Sequence, residues 1–264
     1  MTSDRKLQYP VILVHGIIAH DRKGLIGFWG RIPDVLKEHG VAVFLGNTDA
    51  WGPYESNAEL LKTTVEQVLV ETGAEKVNII AHSKGGIDSR YMIWRYDFGN
   101  KVASLTTLST PHHGAELADS IYAQKIIHTK LAKRIWEVLG EWWGDAKPDV
   151  YRVAYQLTTA HMKEFNQKVL PDPRVYYQSW YSTMRDALDD IWLAEPYRYI
   201  QEAGGGANDG MVSARSTFWS DHVVEIAGGI SHHEIVDMKK TKVSGIDIPF
   251  IYLGIIHELI DKGF

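Results

Sequence analysis

The chain has no cysteine, so neither a disulfide framework nor a thiolate zinc site can be built from it. It has no cluster of basic residues. Its 28 Lys and Arg stand against 33 Asp and Glu, a formal net charge of −5, which argues against nucleic acid as a partner. No run approaches the ~18–20 apolar residues of a membrane span. No internal repeat, low-complexity tract or linker composition divides the 264 residues, so a single domain is the economical reading. The residues ahead of Pro10 are polar and charged, without the apolar stretch of a signal peptide; the cytoplasm and export by a trimmed signal or another route both stay open. What is abundant is core and aromatic material. Hydrophobic residues make up 45%, and nine Trp with 13 Tyr exceed the needs of such a core, an excess that tends to line ligand pockets or interfacial surfaces.

Short apolar runs alternate with segments of helical periodicity. Val11–Val14 is continuous and apolar, as a parallel strand buried on both faces requires. A helix follows at Ile32–Lys37 and a strand at Val41–Leu45. A helix over Asn57–Thr72 carries Leu61, Val65 and Val68 and stops at Gly73. The strand from Val77, a helix to about Arg95 and the strand Val102–Leu108 come next. Strand patterns return at Val175–Trp180 and Val223–Ile226, and Phe250–Leu259 forms a last helix. This order predicts an α/β fold with a mostly parallel sheet and helices on both faces. Residues 115–170 lack strand signal and are too long for one crossover helix, which predicts a helical insertion over the sheet edge. Trp136, Trp142 and Trp143 in it are either its core or the aromatic inner face of a lid.

The sequence Ala81-His82-Ser83-Lys84-Gly85 has the form of a nucleophile elbow, in which a strand turns sharply into a helix with the serine at the apex. The turn demands small residues two positions either side of Ser83. Gly85 satisfies this fully, and Ala81, where glycine is usual, does so with the smallest Cβ. A serine hydroxyl needs a histidine to take its proton and a carboxylate to orient that histidine. Asp209, in Asn208-Asp209-Gly210, and the adjacent His232 and His233 follow in the chain order Ser, Asp, His. Two backbone N–H groups should receive the oxyanion: that of Lys84, next after the nucleophile, and that of Ile17, next after the strand-end pair His15-Gly16.

These blocks, Val11–Gly16, Val77–Gly86, Leu105–Gly114, Asn208–Val212 and His232–Val236, resemble the bacterial true lipases, the group of the Pseudomonas, Burkholderia and Proteus enzymes with relatives among Gram-positive bacteria. The resemblance implies an α/β-hydrolase fold, a helical lid and hydrolysis of carboxylic esters by Ser83, Asp209 and His232. It further implies one structural calcium ion, because an acidic residue two places after the catalytic histidine is a ligand in that family. Glu234 stands there, which selects His232 over His233, and Asp190 or its neighbour Asp189 matches the second ligand. A hard cation with oxygen ligands would tether the histidine loop. Three departures stand out: Glu234 is longer than the usual aspartate, Asn57 stands where some members carry arginine, and His113 replaces an arginine of the Thr-Pro-His-x-Gly loop.

The expectation is therefore a triacylglycerol lipase with a lipid or small-ester substrate, a possible lipid–water interface and no organic cofactor. The rival readings are a short-chain carboxylesterase without interfacial preference and a catalytically silent fold that binds lipid or protein.

Overall fold

An apolar run without polar alternation must be covered on both faces, and Val11–Val14 meets that need as an interior strand of a parallel sheet. The computed structural model describes residues 6–17, 27–124 and 144–264. In chain order its main elements are β1 (Val11–Val14), α1 (Ile32–Glu38), β2 (Val43–Leu45), α2 (Tyr54–Thr72), β3 (Val77–His82), α3 (Lys84–Tyr96) and β4 (Val102–Leu108). Then come α4 (Glu116–Ala123), α5 (Val150–Gln156), α6 (Thr159–Lys168), β5 (Tyr176–Ser182), α7 (Ala194–Glu202), β6 (Val223–Ile226) and α8 (Ile248–Asp261). The strands form one sheet in the order β2-β1-β3-β4-β5-β6, every pairing parallel.

Successive side chains of a strand face opposite ways, and β1 divides accordingly. Val11 and Leu13 join α1 and α8 in one core layer, while Ile12 and Val14 join α2 and α3 in the other. A third apolar cluster joins α4, α5 and α6 to Tyr54 of α2 and Ile87 of α3, through Ala118, Val153, Met162 and Phe165. Among the described residues, 115–170 thus hold three helices and no strand. Ile126, Ile127, Leu131, Ile135, Trp136, Val138, Leu139, Trp142 and Trp143 lie outside the described residues.

Strand and helix ends shift by a residue or two at several elements, and two helix starts differ from the sequence expectation by two residues or more. Helix α2 begins at Tyr54 rather than Asn57, directly after Pro53, whose extended backbone makes it the N-cap. Its end is as expected, at Gly73 in the left-handed conformation (φ 68°). Helix α8 starts at Ile248, with Pro249 in the first turn where a missing N–H costs nothing.

The chain crosses from β1 to β2 on one side and returns to β3 on the other. The strand order therefore reverses between β1 and β3, and ligands of open α/β sheets bind beyond the carboxyl ends at such a point. Gly16 follows β1 there and Ser83 follows β3.

Candidate active site

β3 ends at His82 and α3 begins at Lys84, which leaves Ser83 alone at the turn with φ 54° and ψ −130°. A non-glycine residue at such angles costs of order 1–3 kcal/mol and persists only where its surroundings impose it. Here Ser83 N donates to Leu108 O (2.8 Å) and Gly86 N to Ser83 O (3.1 Å), pinning both sides of the turn. A Cβ on Gly85 would stand 2.5 Å from His15 O and 2.6 Å from Val14 O, both backbone atoms of or just after β1. Gly85→Ala should therefore cost about 1–3 kcal/mol through overpacking and lower the melting temperature by several degrees. A melting curve that overlays wild type would show that the helix and β1 are not held this closely.

Ser83 Oγ lies 3.0 Å from His232 Nε2, and His232 Nδ1 lies 2.7 Å from Asp209 Oδ2. All three side chains are buried. Asp209 is fixed in turn, because its Oδ1 accepts from the amides of Met211 (3.0 Å) and Val212 (2.8 Å). His232 N donates to Asp209 O (2.9 Å), so the loops that carry acid and base are joined by backbone as well as side chain. The carboxylate on Nδ1–H leaves Nε2 as the acceptor that faces Ser83.

Gly16 is pressed against the nucleophile, since a Cβ there would be 2.8 Å from Ser83 Cβ and 3.3 Å from Oγ. Ile17, the next residue, lines two cavities that both reach Ser83 and His232. One, of about 290 Å³, is walled by Phe28, Leu193, Val236 and Met238. The other, of about 360 Å³, runs beneath α4 and α5 between Leu117, Ala118, Val150, Val153 and Leu157. Both linings are dominated by apolar side chains. The side chain of Lys84 turns away from the site into the protein, where Nζ donates to both oxygens of Asp88 (2.9 and 2.8 Å). Asn57 donates to the same carboxylate (2.8 Å), and burial raises the pKa of Asp88 against the pull of these partners.

Asp190 and Glu234 do stand together beside the histidine loop. The cation between them is Lys239, whose Nζ lies 2.8 Å from Glu234 Oε1 and 3.5 Å from Asp190 Oδ2. Asp189 pairs with Arg185 instead. Among the described residues, no group of three or more His, Asp or Glu side chains is arranged to hold a metal ion. His233, the other candidate base, has Nε2 2.8 Å from Asp190 Oδ2, while it is His232 whose Nε2 meets Ser83.

Three residues escape a reading of the sequence. His82, within the elbow motif, packs against His232 with ring centroids 4.5 Å apart and the planes tilted by 50°. Burial, then the neighbouring His232, drives its pKa well down, so it remains a neutral wall. Arg90 looks like one more helix-surface cation, yet it is buried and its pKa falls to about 9 through burial. It donates to His112 Nδ1 (3.0 Å) and Asn166 Oδ1 (2.8 Å) beneath Trp219, whose ring centre is 3.8 Å away. That ties α3 to α6 and holds the His112 loop. Lys239 is the third; no motif singles it out.

Residues 10–182 match the palmitoyl protein thioesterase family. Triacylglycerol lipase 2 of Saccharomyces cerevisiae is 29% identical over 90% of this chain and 75% of its own length. A triacylglycerol lipase of Pseudarthrobacter phenanthrenivorans is 41% identical over 46% of the chain, and the match spans only 38% of that lipase. In fold, the chain is similar to the crystal structure of Staphylococcus hyicus lipase, with a TM-score of 0.73 over 98% of this chain and 97% of that one at 18% identity.

Proposed function

The chain belongs to the palmitoyl protein thioesterase family, and on that footing we propose that it is a serine hydrolase of carboxylic esters, a lipase for substrates apolar on both the acyl and the alcohol side. One observation carries this reading: Ser83 Oγ, 3.0 Å from His232 Nε2, stands where two apolar cavities meet. An ester carbonyl centred on Ser83 can send its two arms into separate apolar spaces, and apolar arms gain by leaving water.

In the proposed reaction Ser83 Oγ attacks the carbonyl carbon while its proton passes to His232 Nε2. The oxyanion accepts hydrogen bonds from the N–H groups of Ile17 and Lys84. Collapse breaks the bond to the alcohol oxygen, which takes the proton from His232. Water, deprotonated by His232, then releases the acid and restores Ser83. Asp209 holds the imidazole through Nδ1–H and stabilises it while it is charged. An acyl thioester would follow the same course with a thiol leaving, so the proposal turns on the apolar arms rather than on the linking atom.

The lid belongs to the same proposal. α4 and α5 roof the larger cavity, and Ile121 of α4 both lines it and is 47% exposed. Leu188, Ile191 and Trp192 are 79%, 73% and 78% exposed on the segment leading into Leu193, which walls the smaller cavity. Large apolar side chains this exposed beside the site favour contact with a lipid–water interface.

Each methylene buried contributes about 0.8 kcal/mol. Hydrolysis of p-nitrophenyl esters should then rise about fourfold in kcat/KM per added acyl methylene until the cavity is filled, and emulsified triglyceride should be cleaved. A maximum at acetate or butyrate, with no turnover of emulsion, would make the protein a short-chain esterase.

A further inference from the structure

We infer that the ammonium of Lys239 takes the place of a metal ion in holding the loop that carries His232, so that the protein needs no calcium. The inference rests on His232 as the general base. His232 itself spends its ring on Ser83 and Asp209, and its neighbours supply the anchorage. Ser231 Oγ donates to Asp190 Oδ2 (2.8 Å), and Ser231 N donates to Glu234 Oε2 (3.1 Å). His233 Nε2 lies 2.8 Å from Asp190 Oδ2. Asp190 and Glu234 are thus tied into the residues immediately before and after the base, and both side chains are almost fully buried, 0% and 6% exposed.

Two buried carboxylates held side by side repel and are costly without a cation. Lys239 provides it with Nζ in contact with both. The local chain brings it there. A single 3-10 turn at Glu234–Val236 ends at Asp237, which takes the left-handed conformation (φ 59°). Arg31 clamps Asp237 through Nε (2.9 Å) and Nη2 (2.7 Å), and the chain doubles back so that Lys239 lies over Glu234.

The same donors make a poor calcium site. Calcium takes six to eight oxygen ligands at 2.3–2.6 Å. Here Asp190 Oδ2 already accepts from a hydroxyl and an ammonium with the His233 ring nitrogen 2.8 Å away, and Asp190 Oδ1 accepts from Trp192 N (3.1 Å). A metal would have to expel Lys239 and turn His233 away.

Thermal melting of the wild-type protein in millimolar EDTA and in millimolar calcium chloride tests this directly. The two curves should coincide, and Lys239→Met should melt lower. On p-nitrophenyl butyrate Lys239→Met should lose about tenfold or more in kcat with KM unchanged, because the base is displaced while the cavities are intact. Chelation that lowers the wild-type melting temperature overturns the inference. So does a Lys239→Met protein that equals wild type in melting and kcat. The chelation result stands apart from the functional reading, which fails instead if wild-type protein hydrolyses no ester.

Discussion

Ser83→Ala is expected to reduce kcat on a p-nitrophenyl ester by on the order of 10⁵–10⁶, leaving only what binding and oxyanion stabilisation supply without a nucleophile. The fold should not change. Alanine at position 83 inherits the same φ of 54°, and the backbone bonds that impose the turn, Ser83 N to Leu108 O and Gly86 N to Ser83 O, do not involve the hydroxyl. A matching melting temperature beside the lost turnover separates chemistry from stability. Turnover within tenfold of wild type would mean that another group attacks the ester.

Asp209→Asn is the second large effect, about 10³–10⁴ in kcat, and its cause is a tautomer. The amides of Met211 and Val212 both donate to Oδ1 of Asp209. An asparagine there must keep its carbonyl oxygen towards those amides, which turns its NH₂ towards His232 Nδ1. Nδ1 then has to accept, the ring proton moves to Nε2, and Nε2 no longer accepts from Ser83 Oγ. KM should change little, because Asp209 lines neither cavity. Kinetics of the variant on the same ester check this, and a loss below tenfold would show that Asp209 does not set the ring.

Much of this was legible because it depends on local rules. The continuous apolar runs of β1 and β3 require a sheet covered on both sides, and Gly85 and Ala81 around Ser83 reveal a turn that admits little else. The juxtaposition of Ser83, Asp209 and His232 depends on residues up to 149 positions apart, and only chain order and strand ends hint at it. What stayed hidden was decided by side chains meeting across the fold. Arg90 reads as a surface cation until Trp219, His112 and Asn166 are seen to enclose it. Asp190 and Glu234 suggest calcium while Lys239, five residues beyond Glu234, goes unnoticed. A 3-10 turn and a left-handed aspartate bring it back, and no hydropathy period records such a path.

A fluorophosphonate probe reacts with a serine only when a neighbouring base activates it. Wild-type protein treated with the probe, digested and sequenced by mass spectrometry should carry one adduct, on Ser83, and Ser83→Ala protein should carry none. An unmodified wild-type protein, or an adduct that survives on another serine in the variant, would contradict Ser83 as the nucleophile.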